Sequence, residues 1–268
     1  MKQNIITLVC NKGGVGRSTT AQNVAYKLAE MDYKVLVCDL DSQANTSITL
    51  AQDYEGQVIK AKKSITDMIE TDSGYFSDYI LSTRHINLDL LASSWKLDMT
   101  ENSIRNDASP NTILKDRFDS NAKERYDYVI YDTPPRKTDK LIHNALVMSD
   151  YYWYVVSAED RWSLDAKQIM DKVIEQITHS YNLEIQGLPA VITKFRKANK
   201  LSLLVRDECE RLFEQGVFRQ TIRETTHIRK SSAMYRTIFE YDRRTDVAKD
   251  YLALTEALIN ECNNKRSI

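Results

Sequence analysis

Two periodicities alternate along this 268-residue chain. Short, β-branched, nearly all-apolar runs occur at 4–10, 34–39, 88–92, 128–131, 152–156 and 190–193, and each reads as a buried strand. Between or after them lie stretches with apolar residues at helical spacing: 18–31, 137–148, 164–177, 201–213 and 247–260. In the first of these, Ala21, Val24, Ala25, Leu28 and Ala29 share one face. Strand, glycine-rich turn, helix, strand is a βαβ unit, which implies a parallel crossover. Repeated along the chain, it predicts an α/β fold: a doubly wound, mostly parallel sheet flanked by helices. The stretch 52–87 is polar and predicts no clear element.

Composition supports one sizeable core. Apolar residues make up 42% of the chain and charged residues 28%, which excludes a disordered polar tail. No composition shift marks a linker, so 1–268 is expected to form a single domain. The four cysteines, Cys10, Cys38, Cys209 and Cys262, are far apart with no metal-ligand spacing, and reduced thiols are expected. The N-terminal apolar run is too short for a signal peptide, and no run of about 18 apolar residues exists to span a membrane. A cytoplasmic protein is expected.

The chemistry concentrates in one loop. Lys12-Gly13-Gly14-Val15-Gly16-Arg17-Ser18-Thr19 lies between the first strand and the first helix. Glycines let backbone N–H groups turn inward around phosphates, and the helix N-terminus behind them adds partial positive charge. Ser18 is placed to ligate Mg²⁺ through its hydroxyl. The general phosphate-loop pattern fails at two positions, with Asn11 at the first glycine and Arg17 at the lysine.

This segment resembles the deviant phosphate loop of the ParA/MinD family of ATPases, with a lysine (Lys12) ahead of the glycines. Two more motifs match in order. Asp39-Leu-Asp41-Ser-Gln-Ala-Asn45 is similar to the family's first switch segment, and Tyr126 to Pro135, containing Asp132, to its second acidic strand end. The resemblance implies ATP and Mg²⁺ as cofactors, bound by Gly13, Gly14, Val15, Gly16, Arg17, Ser18 and Thr19. It gives catalytic roles to Lys12, which crosses a homodimer interface, to Asp41, which positions the attacking water, and to Arg17. Ser18, Asp132 and Asp39 are the expected metal-side residues. Arg17 is the departure from the pattern. Its forked guanidinium is not interchangeable with an ammonium at a phosphate, so nucleotide binding should survive while hydrolysis is slow or more dependent on an activator.

Charge distribution selects the branch. The whole chain carries a net charge of −1, yet residues 191–250 hold 14 Lys and Arg against 9 Asp and Glu. Similarity to plasmid-type ParA proteins implies that Lys194, Arg196, Lys197, Lys200, Arg223, Arg229 and Lys230 meet double-stranded DNA without reading its sequence. The end of the chain lacks the basic–aromatic face of a membrane-docking helix. The implied function is a slow ATPase of plasmid or chromosome partition. It dimerises on ATP, binds the nucleoid, and is triggered by a ParB-like centromere-binding protein. Two alternatives stay open at this level: a related ATPase that positions another cargo, and a nucleotide-locked scaffold.

Overall fold

The computed structural model describes residues 3–10, 12–52, 63–71, 75–107, 109–118, 125–135, 140–159 and 167–266. Eight strands form one sheet: β1 (Asn4–Val9), β2 (Val35–Asp39), β3 (Ile80–Ser82), β4 (Leu88–Leu91), β5 (Tyr128–Asp132), β6 (Tyr151–Ser157), β7 (Gln186–Phe195) and β8 (Val217–Arg223), in the order β3-β4-β2-β5-β1-β6-β7-β8. Every pairing is parallel except β3 with β4 at one edge. The expected fold class is thus observed.

Both faces of the sheet are covered, which is why its central strands read as continuous apolar runs rather than alternating ones. Alternation still decides which way each side chain goes. Ile6 and Leu8 of β1 pack with Val24 and Leu28 of α1 (Arg17–Glu30) and with Tyr251, Leu254 and Leu258 of the C-terminal helix. Ile5 and Val9 point to the other side, into two further apolar clusters beneath the remaining helices.

The remaining described elements are helices α2 (Asn45–Leu50), α3 (Ile65–Glu70), α4 (Glu101–Asn106), α5 (Ile113–Arg117), α6 (Lys140–Val147), α7 (Lys167–Tyr181), α8 (Lys200–Leu212), α9 (Thr226–Ala233), α10 (Ile238–Asp242) and α11 (Asp246–Arg266), with short 3-10 turns at Phe76–Tyr79 and Trp95–Asp98. The expected helices at 137–148 and 164–177 correspond to α6 and α7; residues 137–139 and 164–166 lie outside the described residues, as does Asn11. Strand β7 begins four residues before its expected start. Two strands went unpredicted, β3 and β8, and both are sheet edges. Strand β8 carries Arg219, Gln220 and Arg223 among its apolar residues, so its pattern is that of a half-exposed edge.

Position follows from topology. Strand β1 lies between β5 and β6, and the crossover through α1 leads away to β2 on the far side of β5. The loop leaving β1 therefore opens at the point where the winding changes direction, the usual place for a ligand crevice in an open α/β sheet.

Candidate nucleotide site

The glycine loop is held in a shape that only a glycine-rich sequence adopts easily. Gly14 and Gly16 have φ of +75° and +88°, in the left-handed region disfavoured for residues with a Cβ. Gly16 caps the N-terminus of α1 and contributes no side chain of its own. A Cβ built at Gly13 or Gly14 meets nothing within 4 Å, so the cradle is open. From behind, Thr193 at the end of β7 clamps the loop: its hydroxyl lies 2.5 Å from the Val15 carbonyl oxygen and 3.2 Å from that of Val156.

Beneath the loop sits a buried ion-pair network. Arg17 is only 6% exposed. Its Nε donates to Asp132 Oδ1 at 3.1 Å, and its Nη2 lies 3.5 Å from Asp41 Oδ2. The other Asp132 oxygen accepts from the Thr46 hydroxyl at 2.7 Å, and Gln22 Nε2 in turn donates to Thr46 at 3.2 Å. Arg17 Nη1 is buried with no hydrogen-bond partner. A buried guanidinium nitrogen without an acceptor is costly.

Asp39 pairs in register with Asp132 across β2 and β5, but the two carboxylates have different partners. Asp39 is fully buried, and its Oδ2 accepts from the Ser47 amide and hydroxyl, each at 2.8 Å, while Oδ1 accepts from the Asp41 amide at 3.1 Å. Burial, with the Asp132 charge beside it, pushes the Asp39 carboxyl upward. Burial also raises Asp41, against the opposing pull of the Gln43 amide and the Arg17 guanidinium.

A cleft of about 520 Å³ opens over this network. One wall is the loop from Lys12 to Thr19, with Asp41, Gln43 and Asn45 beside it. Lys194 and residues between Ile222 and Tyr235, including Glu224 and Arg229, line the same cleft. Of the expected site residues, Lys12, Gly13, Gly14, Val15, Gly16, Arg17, Ser18, Thr19 and Asp41 line the cleft together. Asp132 stands behind Arg17, and Asp39 is turned toward Ser47 in the first turn of α2.

The residues present fit a polyphosphate: an open glycine cradle and the N-terminus of α1 meet at the cleft, and the charged Arg17 is among its lining residues. For a divalent cation, the Ser18 hydroxyl is available in the cleft, while both Asp132 oxygens are already engaged. Among the described residues no cluster of three or more His, Cys, Asp or Glu has metal-binding geometry.

The expected basic face divides in two. Lys194 (φ +52°) pairs with Glu159 at 2.7 Å, Arg196 pairs with Glu224, and Arg223 chelates Asp250 at 2.7 and 2.9 Å while reaching Asp246 at 3.1 Å. Lys197, Lys200, Arg229 and Lys230 are exposed, without an ion-pair partner among the described residues. The sequence reading missed Thr46, Gln22, Thr193 and Glu224. A polar residue ending an apolar strand was the one available signal for Thr193; the others depend on tertiary contacts.

A mostly parallel sheet whose first strand feeds a glycine loop and helix at the switch point defines a P-loop nucleotide-binding protein. Residues 3–187 match the family model AAA_31, an AAA domain, and the chain belongs to that family, as a ParA/MinD-type member. Its sequence is 26% identical over 252 residues to the sporulation initiation inhibitor protein Soj of Bacillus subtilis, covering 94% of this chain and 96% of that protein. Among solved structures it is similar to a plasmid partition protein of Borrelia burgdorferi bound to AMPPNP, at 25% identity and a TM-score of 0.77, covering 97% of this chain and 99% of the other. It shares its fold with cobyrinic acid a,c-diamide synthase of Mycobacterium smegmatis holding ADP and magnesium, at 20% identity and a TM-score of 0.79, covering 98% and 96%. Among the described residues no helix is long and apolar enough to cross a membrane.

Proposed function

We propose that this chain is an ATP-dependent partition switch. It binds ATP with Mg²⁺ at the glycine loop, closes into a homodimer, holds double-stranded DNA without sequence preference, and is released when a centromere-binding partner of the ParB type stimulates hydrolysis. The observation that carries this reading is the shared cleft, lined both by the phosphate loop and by residues of the basic α9 segment. A ligand that fills it touches both at once.

Each residue has a task in that reading. Backbone amides of Gly13 to Thr19 bind phosphate oxygens, with the N-terminus of α1 behind them. The Ser18 hydroxyl, and Asp132 through water, hold the metal, which supplies charge neutralisation on the phosphates. Asp41 orients the attacking water; phosphoryl transfer depends more on such positioning than on a strong base. Lys12, in the cleft mouth, reaches the partner subunit's nucleotide. Lys197, Lys200, Arg229 and Lys230 neutralise DNA phosphates, and pairing two subunits doubles that face.

The test is DNA retention at low salt with ATP, ADP or a slowly hydrolysed analogue. ATP and the analogue should promote retention and ADP should not. Equal retention in all three, or none, sinks the partition reading.

A further inference from the structure

Tyr235 occupies a position that glycine usually fills. Helix α9 ends in a pair of cap hydrogen bonds: the Tyr235 amide donates to the Ser232 carbonyl at 3.0 Å, and the Arg236 amide to the Ser231 carbonyl at 3.0 Å. This is a Schellman cap, whose first residue past the helix end is left-handed and most often glycine. Tyr235 takes that conformation, with φ of +50°, at a cost that a residue without a Cβ does not carry. Its side chain gains little in return from the fold. Tyr235 is 50% exposed, and among the described residues it makes no hydrogen bond or ring contact through its side chain. It does line the cleft that holds the glycine loop. Backbone strain persists in native proteins chiefly where function uses it.

We propose that Tyr235 lays its ring on the base of the bound nucleotide and so sets a preference for purine over pyrimidine triphosphates. The inference rests on the nucleotide reading above and deepens it, from the phosphates to the base.

The lining of the cleft divides by chemistry. The loop from Gly13 to Thr19 offers backbone amides and a helix N-terminus, which suit phosphates and give a base nothing to stack on. The segment that ends at Tyr235 contributes Ile222, Thr225, Ile228 and Ser232 to the same cleft. Apolar side chains suit the faces of a flat ring, and hydroxyls suit the polar atoms on its edge. Of the two aromatic residues in the lining, Tyr251 is 1% exposed and packed into the core, so only Tyr235 has a ring face to offer. Every base has a π-face, and a purine covers more of a tyrosine ring than a pyrimidine does. The cap fixes the backbone, and a tyrosine has few rotatable bonds left to order on binding.

The experiment is calorimetric titration of the full chain with ATP, ADP, CTP and tripolyphosphate, each with Mg²⁺, repeated on Tyr235→Gly and Tyr235→Phe. Tyr235→Gly should weaken ATP and ADP alike by about 10-fold and tripolyphosphate by less than about 2-fold. The natural chain should prefer ATP to CTP several-fold, and the glycine variant should lose most of that preference. Tyr235→Phe keeps the ring and should stay within about 2-fold of the natural chain. The melting temperature of ligand-free Tyr235→Gly should be unchanged or higher, because glycine relieves the left-handed position. A loss of ATP affinity below about 3-fold in Tyr235→Gly overturns the inference, as does an equal loss for tripolyphosphate, a loss in Tyr235→Phe as large as in Tyr235→Gly, or a natural chain that does not distinguish ATP from CTP. A fall in melting temperature of more than about 4 °C makes Tyr235 a structural residue and also overturns it. All of these leave the phosphate site standing. A natural chain that binds none of the four ligands removes the nucleotide reading itself, and this inference with it.

Discussion

Nε of Arg17, the first residue of α1, donates to Oδ1 of Asp132, the last residue of β5, at 3.1 Å. This contact ties the phosphate loop to the acidic strand end before any ligand is present, and both side chains are nearly inaccessible. Removing one partner of such a pair strands the other charge in a poorly solvated place. Arg17→Ala should therefore lower the stability of the ligand-free protein by about 3–5 kcal/mol. Denaturant unfolding at neutral pH checks this. Adding Asp132→Asn to that variant should recover part of the loss, since the stranded charge is then gone.

Thr193 predicts an effect on the loop without a change in charge. Its hydroxyl meets the Val15 carbonyl at 2.5 Å, and Thr193→Val keeps the shape while deleting the donor. Stability should fall by about 1 kcal/mol, the net worth of an ordinary hydrogen bond. Nucleotide affinity should fall several-fold, because the cradle is no longer braced. Thr193→Ser should bind as the natural chain does, and calorimetric titration separates the two.

The division of the basic face gives a salt-dependent prediction. Lys197, Lys200 and Lys230 are exposed and carry no ion pair among the described residues. Charge reversal at these three should abolish DNA retention at low salt. Single Lys→Gln changes, each removing two contacts from the dimer, should reduce the slope of log affinity against log salt by about 1.8, or about 0.9 per subunit. Arg223→Gln should change that slope less, because Arg223 is already occupied by Asp250 and Asp246.

Acid stability should report on Glu240, which does not line the cleft. Burial raises its carboxyl, but His85 and Arg84, with the Thr237 amide, outweigh that and hold it down to about 2. Arg84 Nε donates to it at 2.9 Å, and the Thr237 amide at 2.9 Å. A carboxyl depressed on folding stabilises at pH above its unfolded value of about 4.5, and that stability is lost as pH falls toward 2. Glu240→Gln should cost about 3 kcal/mol at neutral pH and flatten the stability curve between pH 4.5 and 2. Acid titrations followed by circular dichroism give the comparison.

Much of this architecture is legible in the residues. The buried strands announce themselves because both sheet faces are covered, so the central ones carry no polar alternation to blur the signal. The loop is legible because its conformation demands glycine at two positions. What escaped is of another kind. Strand β8 has one open edge and carries cations, so its apolar positions are too few to stand out; β3 is three residues long. Helices α9 and α10 are short and start from hydroxyl caps at Thr225 and Thr237 rather than from an apolar stripe. The family resemblance placed Arg17, Asp41 and Asp132 at one site, but not the fact that a single guanidinium engages both acids. That depends on the register of β2 on β5 and on the turn through Asp41, which no local pattern encodes.

The contact between Arg196 and Glu224 joins the loop after β7 to the loop after β8. The first of these follows Thr193, which grips the phosphate loop, and the second leads into α9, which walls the cleft. In kinematic terms, the two surface segments share one tether, an exposed ion pair of little energetic worth. If the basic face takes part in the proposed function, Glu224→Gln should release one segment from the other while leaving Lys197 and Lys230 in place, which separates tethering from charge.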